Sequence, residues 1–182
     1  MKNIIAGVDE VGRGSLIGPV YAAAVILNKN INTKLLKDSK QLSKKNRVKI
    51  NLYIKENSFW AIGRASVKEI EKYNILNASL LAMKRAIVKL SKKPTLVLVD
   101  GNKIPNIKSY SLKCIIKGDQ KIPSISAASI IAKVARDKFI TKQLTLASTA
   151  SDTTAPTLSE VTAVPTPTRD NTPNYTFSST EA

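Results

Sequence analysis

Apolar and polar positions along residues 1–146 follow two patterns, short apolar runs rich in β-branched residues and stretches with apolar residues at helical spacing. The apolar runs predict strands at residues 3–8, 19–27, 59–67, 95–99 and 110–117. The helical spacing predicts helices at residues 44–57, 76–90 and 124–144. We expect Ser124 to cap the last of these helices. Strands that alternate with helices predict an α/β fold, a mixed β-sheet with helices on both faces.

Neither pattern continues after Leu146. Residues 143–182 contain sixteen Ser or Thr and four Pro, without a sustained helical or alternating period. We therefore expect one domain at residues 1–146 and a low-complexity tail at residues 147–182 that is disordered or foreign to the domain. The tail resembles the linker and first strand of bacterial surface Ig-like repeats, and a fused reading frame or a native flexible tail would each explain it. A cell-surface interaction protein would need an export signal, which we do not find.

Two residue types narrow the possible chemistry. The chain has a single cysteine, Cys114, and no histidine, which excludes disulfide frameworks, zinc fingers and Ser-His-Asp triads. Catalysis would have to use carboxylates, lysines or hydroxyls. We expect Cys114, in an apolar strand, to be a small buried hydrophobic residue. The longest apolar run, residues 20–27, is far shorter than the roughly 20 residues that span a bilayer, so we expect no membrane partner. The apolar stretch after Lys2 meets Asp9 and Glu10 before a cleavage-type segment could form, so secretion is not supported and we expect a cytoplasmic protein.

Positive charge is concentrated in the predicted domain. Residues 1–142 hold 28 basic and 9 acidic residues, whereas residues 143–182 hold 1 basic and 4 acidic, and the chain carries +16. This balance favours a polyanionic partner such as nucleic acid. A basic surface that only keeps the protein in solution would have the same charge. The positions of the few acids distinguish the two interpretations.

Four of the nine acids in the basic part lie beside predicted strand ends, namely Asp9, Glu10, Asp100 and Asp119. If the strands carrying Asp9 and Asp100 are parallel neighbours, at least three carboxylates meet at one edge of the sheet. Such a cluster repels itself, and oxygen ligands without His or Cys select Mg²⁺ or Mn²⁺. Two such ions about 4 Å apart would activate a water and stabilise the leaving oxygen of a phosphodiester.

The segment after the first strand could bring both of its acids to one site. Successive side chains of a regular strand point to opposite faces, so Asp9 and Glu10 share a site only if the strand ends or bulges there. Gly12 and Gly14 permit such a bend. They also let the backbone approach a ligand closely, while Arg13 can meet a phosphate, although an ordinary turn has the same short GxG pattern.

Five motifs together resemble the ribonuclease HII family. They are DEVGRG (9–14), DSK (38–40), VDG (99–101), KGD (117–119) and SISAASIIAKVARD (124–137), and the resemblance covers residues 4 to about 140 in order and spacing. It implies a ribonuclease H-like fold and hydrolysis of RNA in RNA/DNA hybrids and at single ribonucleotides in DNA, leaving a 3′-hydroxyl and a 5′-phosphate. A monomer that needs no protein partner is expected. The resemblance makes four residues catalytic, metal-binding carboxylates: Asp9, Glu10, Asp100 and Asp119.

The resemblance also implies a set of substrate-binding residues. They are Gly12, Arg13, Gly14, Lys40, Asn77 and Ser79. The first three match an element that senses the ribose 2′-hydroxyl, which distinguishes RNA from DNA. Lys40 would lie near the scissile or a neighbouring phosphate, and Asn77 and Ser79, with Asn74, would contact backbone phosphates. From the residues alone, Lys40 is a solvated lysine, Ser79 a helix-start residue, and Asn77 as readily a helix cap as a phosphate contact.

The helix that ends in VARD carries further charged residues. An ion pair with Lys133, four residues earlier, accounts for Asp137, while the resemblance suggests that Asp137 has a supporting role near the site. Lys133 and Arg136 could face nucleic acid, although a solvated helix face is the ordinary expectation. Family members continue past this helix with a segment rich in Tyr and Gly that has no match here, so we expect a C-terminally truncated chain. A truncated, inactive relative that only binds nucleic acid is therefore the alternative function.

Overall fold

The computed structural model describes residues 3–36, 43–149, 158–160 and 177–179. Its main feature is a five-stranded sheet, formed by β1 (Ile5–Val11), β2 (Val20–Leu27), β3 (Ser58–Ala65), β4 (Leu96–Asp100) and β5 (Leu112–Ile115). The strand order is β3-β2-β1-β4-β5. β1 pairs antiparallel with β2 and parallel with β4, and β4 pairs parallel with β5. The predicted mixed α/β sheet is confirmed.

Helices cover both faces of this sheet. They are α1 (Lys44–Glu56), α2 (Val67–Val88), α3 (Gly118–Lys121) and α4 (Pro123–Thr149). Alternate residues of β2 contribute to two separate cores: Ala22 and Ala24 belong to the core that includes α2, whereas Ala23 and Val25 belong to the core that includes α4. Because both faces are covered, β2 is an almost continuous apolar run.

Two glycines in the sheet let the long helices lie directly on its backbone. A Cβ atom on Gly63 of β3 would lie 2.0 Å from the carbonyl oxygen of Ala82 in α2. A Cβ atom on Gly7 of β1 would lie 2.2 Å from the carbonyl carbon of Ser124 in α4. Neither position has room for a side chain. The start of α4 is thereby held against β1 next to Asp9.

α2 consists of two helical segments that meet at a kink at Asn74, whose φ of 65° and ψ of 166° are not helical. The second segment starts close to the predicted start at residue 76, whereas the first segment, which begins at Val67, was not predicted. Ser66 and Glu69 form a capping box, in which each side chain accepts a hydrogen bond from the other residue's backbone N–H. Arg85 pairs with Glu69 at 2.6 Å and, by its hydrogen bonds, lowers the pKa of Glu69 to about 2. Most side chains of the first two turns are exposed, so this part of the helix has no apolar stripe to reveal it.

α4 begins at Pro123 rather than after a cap at Ser124, which lies inside the first turn. Proline fits the first helical position because that residue needs no N–H donor. The helix also runs to Thr149, beyond the predicted end at residue 144. In the part of the chain that the structure describes, no helix, α4 included, is long and apolar enough to cross a membrane.

The chain divides into two compact units, Met1–Leu144 and Thr145–Ala182. In the second unit, β6 (Leu158–Glu160) pairs antiparallel with β7 (Phe177–Ser179). The rest of the predicted tail, apart from the end of α4, lies outside the described residues. Its expected disorder or foreign origin therefore stays a prediction.

Candidate active site

Asp9 and Asp100 lie at the same end of two neighbouring strands. The parallel register of β1 and β4 ends with the pair Val8 and Val99, and the two aspartates follow directly. The parallel neighbours expected from the sequence are therefore present. The Asp9 side chain is buried, with 6% of its surface exposed. A carboxylate in this position has little water to solvate its charge.

The surroundings of Asp9 disfavour its negative charge. Burial raises the pKa of Asp9 to about 8, and the neighbouring carboxylates of Glu10 and, more weakly, Asp100 act in the same direction. A hydrogen bond from Ser129 of α4 and one from the Glu10 N–H to Oδ1 of Asp9, at 2.8 Å, oppose the shift. This end of the sheet therefore carries an excess of buried negative potential, which a cation would relieve.

Glu10 follows Asp9 in a strand that stays regular. Glu10 pairs with Ala22 and β1 continues to Val11, so the bend comes only at Gly12, where φ is 108°. The predicted end or bulge between the two acids is absent, and Asp9 and Glu10 leave β1 toward opposite faces. Oε1 of Glu10 accepts a hydrogen bond from Arg13 at 3.0 Å, whereas Oε2 is buried without a hydrogen-bond partner.

The KGD segment is tied to the end of β4. Oδ1 of Asp100 accepts a hydrogen bond from the Gly118 N–H at 2.7 Å. Lys117 adopts a left-handed conformation with φ 55°, after which α3 begins at Gly118. Such a conformation is costly for a residue with a side chain, and it persists where the surrounding structure enforces it. Asp119 is thus buried in a short helix adjoining Asp100, rather than lying in a turn.

The four predicted acids, Asp9, Glu10, Asp100 and Asp119, form the acidic cluster. Their carboxylate oxygens are the type of ligand that a hard divalent cation prefers, although Glu10 leaves β1 on the face opposite to Asp9. They include one buried carboxylate oxygen without a hydrogen-bond partner, on Glu10, and the Asp9 carboxylate, whose charge its neighbours repel. Among the described residues, however, no three acidic or cysteine side chains converge closely enough to hold one ion as they stand. Glu10 is engaged by Arg13, and Asp100 by Gly118. The metal site therefore stays a prediction.

The GRG segment lies in the loop of residues 12–19 that joins β1 to β2. Residues 13–17 are exposed, and the Ser15 N–H donates to the Gly12 carbonyl at 3.3 Å. A Cβ atom on Gly14 would meet no other atom within 4 Å. The loop starts two residues after Glu10, so it is exposed beside the acidic cluster.

The other predicted substrate residues have different surroundings. Lys40 lies outside the described residues. Asn77 is exposed, but the residue that caps the segment of α2 after the kink is Asn74, whose Oδ1 accepts from the Asn77 N–H at 3.0 Å. Ser79 is 1% exposed and donates to the Ile75 carbonyl at 2.7 Å. Its hydroxyl is turned into the helix, and it is not a helix-start residue.

Two charged residues of α4 have partners that we did not expect. Arg136 does not belong to a solvated face, because its guanidinium donates to the carbonyls of Ile17 and Pro19. Asp137 forms its ion pair with Arg47 of α1, at 3.6 Å, rather than with Lys133. Arg136 lies four residues after the apolar Ala132, and this helical spacing is the sequence signal that could have placed it on the packed side of the helix.

Comparison with known proteins places the chain in a family. The family model described as ribonuclease HII matches residues 6–157, which extends past the predicted boundary at residue 146. Ribonuclease HII from Pelagibacter ubique (strain HTCC1062) is 76% identical over 139 residues, covering 76% of this chain and 75% of that protein. Ribonuclease HII from Vibrio parahaemolyticus is 52% identical over 136 residues, covering 74% of this chain and 64% of that protein.

A solved structure agrees with the sequence matches. The crystal structure of ribonuclease H2 from Pyrococcus horikoshii superposes with a TM-score of 0.66 at 30% identity, covering 78% of this chain and 75% of that chain. The mixed sheet and its flanking helices are therefore those of a ribonuclease H-like fold. On these grounds the chain belongs to the ribonuclease HII family of endonucleases.

Proposed function

We propose that this chain is a metal-dependent endonuclease that hydrolyses the RNA strand of RNA/DNA hybrids and cuts at single ribonucleotides embedded in DNA. The main support is the juxtaposition of Asp9 and Asp100 at the ends of two parallel strands, beside an exposed glycine loop. The net charge of +16 suits a polyanionic substrate. Cleavage would leave a 3′-hydroxyl and a 5′-phosphate.

The acidic cluster is the proposed catalytic centre, formed by Asp9, Glu10, Asp100 and Asp119. Two Mg²⁺ or Mn²⁺ ions bound there would supply an activated water and stabilise the negative charge of the leaving oxygen. Two of the carboxylates are held before any ligand arrives, because Asp9 accepts from a backbone N–H of its own strand and Asp100 accepts from Gly118. Because no three acidic side chains among the described residues converge on one point in this conformation, ion binding would require the other carboxylates to rearrange around these two.

The GRG loop is the proposed sensor of the ribose. A 2′-hydroxyl both donates and accepts hydrogen bonds, and exposed peptide groups provide both complements. Gly14 has no side chain to hold a sugar away from these groups. Arg13, with 48% of its side chain exposed while it pairs with Glu10, can also reach a phosphate.

Two further residues are proposed as phosphate contacts, Lys40 and the exposed Asn77. Either would position the duplex without reading its sequence. Ser79 was predicted to act with them, but in this conformation its buried hydroxyl counts against a direct contact.

Three duplexes of one sequence test the proposed activity: an RNA/DNA hybrid, a DNA duplex with one ribonucleotide, and an all-DNA duplex. We expect the first two to be cut in Mg²⁺ or Mn²⁺, the third to stay intact, and all cutting to stop in excess EDTA. Gel analysis of the ends identifies the products. Salt-sensitive binding of all three duplexes without cutting would instead support the inactive, nucleic-acid-binding relative.

Replacing Gly14 by alanine separates substrate approach from folding. A methyl group at this position meets no protein atom, so the free energy of unfolding of Gly14→Ala should match that of the parent protein within about 0.5 kcal/mol. The methyl group would hold the sugar away from the backbone, and we expect KM for the single-ribonucleotide duplex to rise about tenfold, or about 1.4 kcal/mol. Steady-state cleavage measures this effect.

Ser15→Ala is the matched control for Gly14→Ala, because Ser15 is also exposed in the loop and its backbone hydrogen bond does not depend on its side chain. We expect Ser15→Ala to leave KM unchanged. An unaltered KM for Gly14→Ala would show that the sugar does not approach the loop at this point.

A further inference from the structure

We propose that Arg136 of α4 is a positioning residue that sets the GRG loop at the distance from the acidic cluster needed to recognise a ribose. This inference rests on the proposed function, because it concerns the same loop and the same substrate. It assigns a role to a side chain that lies 117 residues from the loop in sequence.

The Arg136 guanidinium holds the second half of the loop through two main-chain carbonyls. Nη2 donates to the Ile17 carbonyl at 2.6 Å, and Nε donates to the Pro19 carbonyl at 3.2 Å. Hydrogen bonds from a charged donor are stronger than those between neutral groups. The fork of the guanidinium reaches both oxygens at once, which the single ammonium group of a lysine cannot reproduce.

The same side chain packs under both bends of the loop. Gly12 and Gly18 have φ values of 108° and 80°, which favour glycine. A Cβ atom on Gly12 would lie 2.8 Å from Nε of Arg136, and one on Gly18 would lie 3.8 Å from its Nη2 and 2.5 Å from Cδ1 of Ile140. The two bends therefore rest on one face of α4, while the residues between them are exposed.

α4 also touches other parts of the proposed site, so it can serve as their common reference. Ser129 donates a hydrogen bond to the Asp9 carboxylate, and Ser126 donates to the Leu36 carbonyl, just before the segment that contains Lys40. Arg136 extends this series by about two turns along the helix. Because both Asp9 and the loop contact the same rigid helix, α4 fixes the distance between them.

Loss of this anchor should affect recognition rather than the core. The loop lies outside both apolar clusters, and its exposed residues contribute little to folding. A protein with a released loop would still bind duplexes through its basic surface. The peptide groups of the loop, however, would no longer be held against a 2′-hydroxyl. The expected signature is a loss of preference for ribonucleotides, with general affinity retained.

Arg136→Met tests the proposal, since it keeps the apolar stem and removes the donors. In EDTA, fluorescence anisotropy measures Kd for the single-ribonucleotide duplex and the all-DNA duplex. We expect the first Kd to rise about tenfold, equivalent to about 1.4 kcal/mol, and the second to stay within about twofold. In Mn²⁺, KM of Arg136→Met for the single-ribonucleotide duplex should rise while kcat stays within about threefold of the parent value. Arg136→Lys should recover only part of the lost affinity for this duplex.

Arg85→Met is the control for a merely structural effect, because it removes an arginine from an ion pair in α2, on the core that does not contain α4. We expect this control to lower Tm and to leave the ratio of the two Kd values unchanged. If Arg136→Met does the same, Arg136 only stabilises the fold and the proposal is overturned.

Limited trypsin digestion tests the anchoring without any substrate. Trypsin cuts after Arg13 in the exposed loop, and we expect Arg136→Met to be cut there at least about fivefold faster than the parent protein and Arg85→Met. An equal rate would overturn the anchoring. If the parent protein shows no preference for ribonucleotides in either assay, the proposed function fails, whereas the trypsin result still reports whether Arg136 holds the loop.

Discussion

Asp9→Asn is expected to reduce cleavage at least about 1000-fold and to make the metal-free fold more stable at pH 8. Both effects follow from loss of the Asp9 charge, which would bind a metal ion during cleavage and which destabilises the fold when no ion is bound. Asp9 is buried beside Glu10 and Asp100, and burial raises its pKa from the ordinary value of 3.8 to about 8. At pH 8 the folded protein therefore bears a free-energy cost for ionising this group, and asparagine, of nearly the same shape, removes it.

The sign of the pH dependence follows from the direction of the shift. A carboxyl group whose pKa is higher in the folded state does not destabilise the fold below pH 3.8, and it destabilises the fold increasingly as the pH rises toward about 8. In EDTA, the Tm advantage of Asp9→Asn should therefore be small near pH 4 and grow toward pH 8. The difference in unfolding free energy at pH 8 should be on the order of a few kcal/mol.

Glu71→Gln provides the matched control, because it also replaces a carboxylate by an amide, at an exposed position of α2. We expect this control to keep full cleavage and to show no growing Tm advantage with pH. Cleavage by Asp9→Asn within tenfold of the parent rate would contradict the assignment of Asp9 as a catalytic carboxylate. A lower Tm at pH 8 in EDTA would contradict the destabilising charge.

Gly63→Ala is expected to destabilise the fold by at least about 3 kcal/mol or to prevent folding. Its Cβ atom would lie 2.0 Å from the Ala82 carbonyl oxygen and 2.6 Å from the Ala86 nitrogen. Both atoms belong to helix backbone, which cannot rotate away as a side chain could. α2 would have to move off β3, which would open the core that contains Ala82 and Ala86.

Urea denaturation of Gly63→Ala beside Gly14→Ala measures this effect. The same change at Gly14 meets no atom within 4 Å, so its midpoint should match that of the parent protein. A soluble Gly63→Ala protein with an unchanged midpoint would show that α2 does not lie as close to the sheet as described. If Gly63→Ala does not fold while Gly14→Ala does, the result also supports the close contact between α2 and β3.

The sheet could be predicted because its inner strands are apolar on both faces, and residues 20–27 and 95–99 are almost uninterrupted runs. Cys114 was predicted to be buried and is exposed, because β5 is an edge strand. The segment of α2 before the kink at Asn74 was missed because most of its side chains are exposed. The capping-box pair Ser66 and Glu69 is a local sequence signal for a helix that starts at Val67. The spacing of apolar residues alone does not show this start.

The candidate site was predictable where it depends on neighbours in sequence and less so where it depends on distant contacts. Placing Asp9 and Asp100 at strand ends needed only the apolar runs before them. The hydrogen bond from Gly118 to Asp100 and the contact of Arg136 with the loop join segments far apart in the chain. Such contacts follow from the packing of α3 and α4, which no local pattern specifies.

The order of the strands has a consequence for synthesis on the ribosome. β1, made first, lies in the middle of the sheet, and its partner β4 emerges only after β2, β3 and two helices. A nascent chain can form the β1-β2-β3 meander early, but Asp9 then has no Asp100 beside it. Assembly of the acidic cluster is therefore a late event in translation, because Asp100 can join Asp9 only after β4 has left the exit tunnel.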